Sequence, residues 1–297
     1  MPRSRRPFCA DLARGRDESL SATASRVDHW LVVEYHGLWA RDPIGGSRLS
    51  DAVKTHLRAQ LDSLPRSRLL FVRRPHERDR EGVAVFVARS REWDRRLAGV
   101  RLGGYDELLS VDARALLEDA RPGPPLLVVC AHGKRDRCCA LYGRPVYEEL
   151  RAGPAAERVW QSTHVGGDRF AGNLVSLPDG LYFGHVGPGE ADGVAAALAE
   201  GRIDLGRYRG RSCFPFPVQA GERRIREETG RTGIDELAFA GWEPANGGWR
   251  VRFREEATGA THEAEVEERI GEPAFLTCGA GEERRPHHYV ATHVRPV

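Results

Sequence analysis

Lysine is almost absent from this 297-residue chain: Lys54 and Lys134 are the only two, so nearly all of its 45 basic residues are arginine. That skew reads as codon bias in a GC-rich genome and says little about phosphate binding. Charge of one sign is also lacking. The 45 basic and 43 acidic residues leave a net charge of +2, and they are interspersed, which argues against a nucleic-acid surface. Long hydrophobic runs are missing too. Apolar stretches such as residues 126–129 hold about four to seven residues, against the roughly 20 that a membrane-spanning helix needs. Arg3, Arg5 and Arg6 precede no apolar segment, so neither a secretory nor a twin-arginine signal is completed. The expectation is a cytoplasmic, reducing location with no membrane and no nucleic acid among its partners.

Cysteine is scarce as well, and its six positions are too sparse for a disulfide scaffold. Three of them, Cys130, Cys138 and Cys139, nevertheless fall within ten positions. In a reducing compartment such crowding points to metal or redox chemistry. Cys9, Cys213 and Cys278 have no metal-ligand spacing and read as small packing residues.

What is present is a chain with 40% apolar and 30% charged residues, able to bury a core. Strands are expected at residues 29–35 (HWLVVEY), 68–72 and 82–88, with a helix at 49–64 and a charged turn at 76–80. A shorter helix at 111–119 leads to the break Arg121-Pro122-Gly123-Pro124-Pro125. The order then recurs. A strand at 126–130 is followed by a polar loop, helical material toward Leu150 with a break expected at Gly143-Arg144-Pro145, a strand at 159–163, a hairpin at 172–186 and an Ala-rich helix at 190–200. This reads as an α/β sheet flanked by helices, compatible with a thioredoxin-like arrangement, and the recurring order hints at a duplication. Residues 218–228 are expected to be helical, and runs at 237–242, 249–253 and 261–266 form a small C-terminal β-rich unit, with Trp242 and Trp249 read as core. The domain organisation expected is 1–120, 121–212 and 213–297.

Cys130 ends an expected strand and Cys139 opens a helix, giving C-x8-C across a loop long enough to bring both sulfurs to one site. Metal or cluster binding and buried, inert cysteines both remain open on spacing alone. There is no C-x-x-C dithiol. Downstream, residues 164–173 (HVGGDRFAGN) offer His164 and Asp168 as donors at i and i+4. Two thiolates and an imidazole are a recurring way to hold iron or zinc. Asp136 reads as the cap of the following helix, and Arg135 and Arg169 as solvated, salt-bridged or partner-attracting charges.

Residues 129–140 (VCAHGKRDRCCA), together with 164–173, resemble the sucrase/ferredoxin-like family, whose domain is a thioredoxin-like ferredoxin. Through HWLVVEYHGLW and RLLFVRRP the resemblance extends over most of residues 1–230. It implies a [2Fe–2S] cluster held by the two cysteines of C-x8-C and by two histidines spaced as H-x3-H. Carried over, these are Cys130, Cys139 and His164. Asp168 stands where the second histidine is expected. A carboxylate is harder and anionic, favouring the ferric state. Cys138, His132, His185 or a water are the alternatives for that position, as is loss of the cluster. Gly133, Gly166 and Gly167 are expected to let backbone N–H groups approach the sulfurs, with His132 as a supporting hydrogen-bond donor.

Histidine ligation lowers cluster charge and moves such centres from about −400 mV to roughly −150 to +300 mV. One histidine with one aspartate should lie lower than two histidines. The function expected is a one-electron carrier rather than a catalyst, served by a separate reductase and an unidentified acceptor, since no dinucleotide or flavin motif is present. The alternatives are a thiol-based redox protein and a zinc-binding structural module. Sucrase activity finds no support, because no pair of carboxylates is marked for glycoside hydrolysis.

Overall fold

The computed structural model describes residues 7–77, 81–120, 123–245 and 247–297. Part of the expected turn at 76–80, Arg121 and Pro122 of the expected break, Asn246 and the N-terminal arginines lie outside the described residues.

After α1 (Cys9–Gly15), two stretches follow the same plan. The first is β1 (His29–Glu34), α2 (Asp51–Asp62), β2 (Ser67–Arg73), β3 (Val83–Arg91), β4 (Asp94–Leu102) and α3 (Ala113–Glu118). The second is β5 (Leu126–Cys130), α4 (Arg137–Ala152), β6 (Val159–Ser162), β7 (Leu174–Leu177), β8 (Leu181–Phe183) and α5 (Ala191–Ala199). In each, the first two strands pair in parallel, and the third is antiparallel to the first and to the fourth. The two sets join edge to edge where Val72 and Arg73 of β2 face Ser162 and Gln161 of β6. With β9 (Tyr208–Arg211) they form one nine-stranded sheet of order β4-β3-β1-β2-β6-β5-β7-β8-β9.

β5 (LLVVC) is wholly buried, as its unbroken apolar run requires of a central strand. Alternation divides the core. Leu127 and Val129 meet Tyr147 and Leu150 of α4 and Val194 of α5, while Val128 and Cys130 face a cluster with Trp30, Trp160 and Val175 that spans both sets of strands. Leu31, Val33 and Phe71 pack under Val53 and Leu57 of α2.

Several features depart from the sequence reading. α4 runs through Gly143-Arg144-Pro145 without a break, because the burial of Val146, Tyr147 and Leu150 beyond the proline outweighs the lost backbone hydrogen bond. β4 escapes pattern reading because it is an edge strand, half-exposed and arginine-rich. The C-terminal sheet is larger than expected: after α6 (Phe216–Thr229) come β10 (Leu237–Ala245), β11 (Gly248–Glu255), β12 (Thr261–Ile270) and β13 (His287–Pro296), all antiparallel in that order. Val218 and Ile225 of α6 pack on Val251, Phe253 and Val266. Trp249 joins the margin of that core, but Trp242 is 44% exposed, contrary to its reading as core, and stacks on Trp249 from outside.

Candidate metal centre

Each donor is placed by a rigid element. Cys130 closes β5, its N–H donating to Asn173 O, and the chain then turns tightly, with Asp136 N donating to His132 O. Asp136 caps α4 by accepting from Cys138 N at 2.9 Å, as expected of it. Cys139 is therefore fixed in the first helical turn. Beyond β6, Thr163 is clasped by β2: its N–H donates to Phe71 O, and its hydroxyl accepts from Phe71 N. His164 thus leaves the sheet at the junction of the two sets of strands.

There the donors converge. Nδ1 of His164 lies 3.7 Å from Cys139 Sγ and 4.0 Å from Cys130 Sγ. The Sγ and Nδ1 atoms of the three residues all lie within 4.8 Å of one another. Asp168 brings Oδ1 to 3.1 Å from His164 Nδ1 and accepts from Cys139 Sγ at 3.5 Å. Both cysteines are fully buried free thiols, Asp168 is buried, and the His164 side chain keeps 19% of its surface exposed.

The electrostatics favour a thiolate on one of the two cysteines. Cys130 is held well below the usual thiol range by the hydrogen bond from Cys139, then by His164 and the Val165 N–H, against the opposing effect of burial. Cys139, the donor of that pair, is pushed far up by the same bond and by burial. Burial works against a charged His164, yet the bond to Cys130, the Cys130 charge and Asp168 raise it overall. Burial raises Asp168, opposed by His164. Metal uptake must release the protons that the thiols and imidazole share.

The alternative donors lie elsewhere. His132 is used on both ring nitrogens: Nδ1 accepts from His164 N at 3.3 Å, so Nε2–H donates to Ala40 O at 2.9 Å. It positions His164, and burial lowers its pKa. Cys138, one residue before Cys139 and so about 100° around the helix, turns away toward Cys9 and Cys278. Spacing gives those two only a packing role; the fold instead brings them to Cys138 and Asp136 in a second group of donors. Nothing local in the sequence signals this, since 127 positions separate Cys9 from Asp136. Arg169 is salt-bridged to Glu18 at 2.7 Å, and Arg135 is exposed.

Gly133 lies in the loop after β5, its N–H donating to Ala131 O. Gly166 and Gly167 both have positive φ, at 103° and 78°, and a side chain on either would strike Ser25 or Arg209. Arg209 is a residue that sequence reading missed. Fully buried, it donates from Nη1 to Gly166 O at 3.1 Å and Asn173 Oδ1 at 2.7 Å, while Asn173 Nδ2 donates to Gly167 O. It clamps the turn between His164 and Asp168, and burial pulls its pKa down to about 10.

His185 donates its N–H to Phe170 O, and its buried Nε2 has no hydrogen-bond partner among the described residues. Burial, then the charge of Arg14, lowers its pKa from 6.5 to about 4. The unfolded chain therefore binds the extra proton first. This contribution to stability is complete above pH 6.5 and is lost as pH falls toward 4, by at most about 3 kcal/mol. His185→Asn, which does not titrate and tolerates the positive φ at this position, is expected to flatten the stability profile between pH 6.5 and 4 in urea unfolding. An unchanged slope would assign that acid sensitivity to other groups.

Comparison with known proteins identifies the family of the chain. Residues 20–210 match the model of the sucrase/ferredoxin-like family. Among curated proteins the chain is similar to three named "Altered inheritance of mitochondria protein 32". The one from Eremothecium gossypii is 32% identical over 103 residues, covering 30% of this chain and 33% of the relative. That from Meyerozyma guilliermondii is 32% identical over 95 residues, covering 29% and 34%, and that from Candida glabrata 31% over 98 residues, covering 28% and 31%. The similar stretch thus spans about a third of those relatives' length. No solved structure matches. Among the described residues no helix is long and apolar enough to cross a membrane. With the family model covering most of the chain, sheet and donor loops included, the protein belongs to the sucrase/ferredoxin-like family.

Proposed function

We propose that this chain is a one-electron carrier that holds a [2Fe–2S] cluster through Cys130, Cys139, His164 and Asp168, in a domain of thioredoxin-like type. The observation that carries the reading is the convergence of two thiols nine positions apart on the Nδ1 atom of His164, in a member of this family. The donors suit the group: two soft thiolates, one imidazole and one carboxylate, all pinned by backbone hydrogen bonds. When bound, the cluster supplies a one-electron couple. The chain's residues do the rest. Cys130 is poised as a thiolate, the Val165 N–H stabilises that charge, and Arg209 with Asn173 fixes the Gly166-Gly167 turn that spaces His164 from Asp168. Gly166 and Gly167, at positive φ, let that turn pass Ser25 and Arg209, whereas the Gly133 N–H goes to Ala131 O and not to a sulfur.

Electrons must come from a separate reductase and leave to an acceptor. Lys134 and Arg135 on the loop and Arg137 at the start of α4 stand exposed near Cys139 and suit an acidic partner face. The closeness of the Cys130, Cys139 and His164 donor atoms, all within 4.8 Å of one another, favours a single zinc ion as the second reading.

Metal and sulfide analysis of anaerobically purified protein, followed by redox titration, tests the proposal. About two irons and two sulfides per chain are expected, and zinc without sulfide that is lost from a Cys130→Ser/Cys139→Ser variant would favour the second reading. Asp168→His replaces an anionic ligand by a neutral one, and the midpoint potential should rise by on the order of 100 mV. An unchanged potential in an iron-loaded variant would remove Asp168 from the ligand set.

A further inference from the structure

Back to back with the centre just described, on the same first turn of α4, lies a second set of donors that the electron-carrier reading does not use. Cys9 from α1, Cys138 from α4 and Cys278 from the loop between β12 and β13 bring their Sγ atoms together. The separations are 3.6 Å for Cys9–Cys138, 3.2 Å for Cys138–Cys278 and 3.6 Å for Cys9–Cys278. Asp136 Oδ1 lies 4.0 Å from Cys9 Sγ. We propose that Cys9, Cys138 and Cys278, with Asp136 or a water as fourth ligand, form a structural zinc site that ties both ends of the chain to the helix carrying Cys139.

Geometry and chemistry support a metal over the two plainer uses of thiols. A tetrahedral zinc with Zn–S bonds of about 2.3 Å sets its sulfurs about 3.8 Å apart. The three separations approach that edge, whereas a disulfide requires about 2.05 Å. The sulfurs make a near-regular triangle, and any one disulfide would strand the third thiol. Packing alone gives no reason for three cysteines from segments 129 and 140 positions apart to meet at one point. All four donor atoms lie within 4.8 Å of one another, which fits one ion rather than a cluster of several. Soft sulfur donors select zinc over magnesium or calcium.

Asp136 has a second part in the arrangement. Its Oδ1 accepts from Cys138 N at 2.9 Å and its Oδ2 from Cys278 N at 2.6 Å, so it orients two of the three cysteines and retains lone pairs for an ion. Cys9 and Cys138 are fully covered, while Cys278 is part-exposed and marks the side from which an ion enters. Binding displaces three thiol protons, and the ion's charge offsets the thiolates and carboxylate left behind.

The test separates the two centres. In full-length Cys130→Ser/Cys139→Ser protein, which cannot assemble the first site, metal-free samples are titrated with Co(II) under reducing, anaerobic conditions. The expected result is about one Co(II) per chain, with thiolate-to-cobalt charge-transfer bands and the visible bands of a tetrahedral ion, displaced by zinc. Adding Cys278→Ser, a change in a part-exposed loop, should cut the charge-transfer intensity by about a third or more and weaken binding at least about tenfold. Wild-type protein, its thiols alkylated before and after chelation, should show Cys9, Cys138 and Cys278 protected only while metal is bound. No tetrahedral Co(II) spectrum, an unchanged spectrum in the Cys278→Ser variant, or a disulfide among these three cysteines in protein isolated under reducing conditions would each overturn the proposal.

Discussion

Serine in place of Cys139 is expected to empty the centre, dropping iron from about two per chain to background and removing the visible absorption. The reason lies in the donor set. Among the described residues Cys139 is one of two sulfurs facing His164 Nδ1, and it also links Cys130 to Asp168 through the contacts of its Sγ. A serine oxygen is harder, ionises far less readily and reaches a shorter distance, so one thiolate would be left to do the work of two. The helix should survive, since its cap is Asp136 and its buried face is formed by Val146, Tyr147 and Leu150. The variant is therefore expected to keep its far-ultraviolet circular dichroism while losing iron, and Cys213→Ser, remote from the donors, to keep both. Full iron content in the Cys139→Ser variant would exclude Cys139 as a ligand.

The second large effect concerns a residue with no donor atom in its side chain. Gly143 sits where α4 crosses the end of β5, and a Cβ there would overlap the Cys130 carbonyl oxygen and come within 2.9 Å of its carbon. Backbone cannot step aside as a side-chain tip can. Gly143→Ala should therefore push α4 off the strand end, at a cost of about 3 kcal/mol, or roughly 6–12 °C in Tm for a chain of this size. Because the same displacement separates Cys139 from Cys130, iron occupancy should fall with stability. Gly193→Ala is the matching control. Gly193 lies inside α5, where a methyl group would meet nothing within 4 Å, so alanine should stabilise by about 0.5–1 kcal/mol. Thermal unfolding with iron analysis checks both; equal behaviour of the two variants would contradict the close-contact argument.

The sequence shows those parts of this molecule whose physics is local. The buried strands β1 and β5 read directly as apolar runs, α2 from its spacing of Val53, Leu57 and Leu61, and the hairpin of β7 and β8 from its turn residues. The cap role of Asp136 is legible for the same reason, since it concerns residues two positions apart. β4 and β13 are not, because neither has a buried face regular enough to impose alternation. Pro145 misleads in the opposite direction: its local preference is real, and tertiary burial overrides it.

The candidate centre divides along the same line. Cys130, Cys139, His164 and Asp168 stand within two short segments that a reader can compare by spacing. Arg209, which holds the turn between His164 and Asp168, comes from a different strand 36 positions beyond Asn173. Cys9 and Cys278 are farther still, and nothing in the residues around them sets them apart. Only the fold puts them beside Cys138. The adjacent pair Cys138-Cys139 reads as two candidates for one centre, and helical geometry turns them toward two.

Electron–nuclear double resonance on the dithionite-reduced protein tests the central claim most directly, because it reads the ligand atoms at the paramagnetic centre. The expected result is an S = 1/2 iron–sulfur signal carrying strong 14N coupling from one directly bound imidazole, absent from a His164→Ala variant that still folds. A reduced protein with no such signal, or an iron–sulfur signal without directly bound nitrogen, would contradict it.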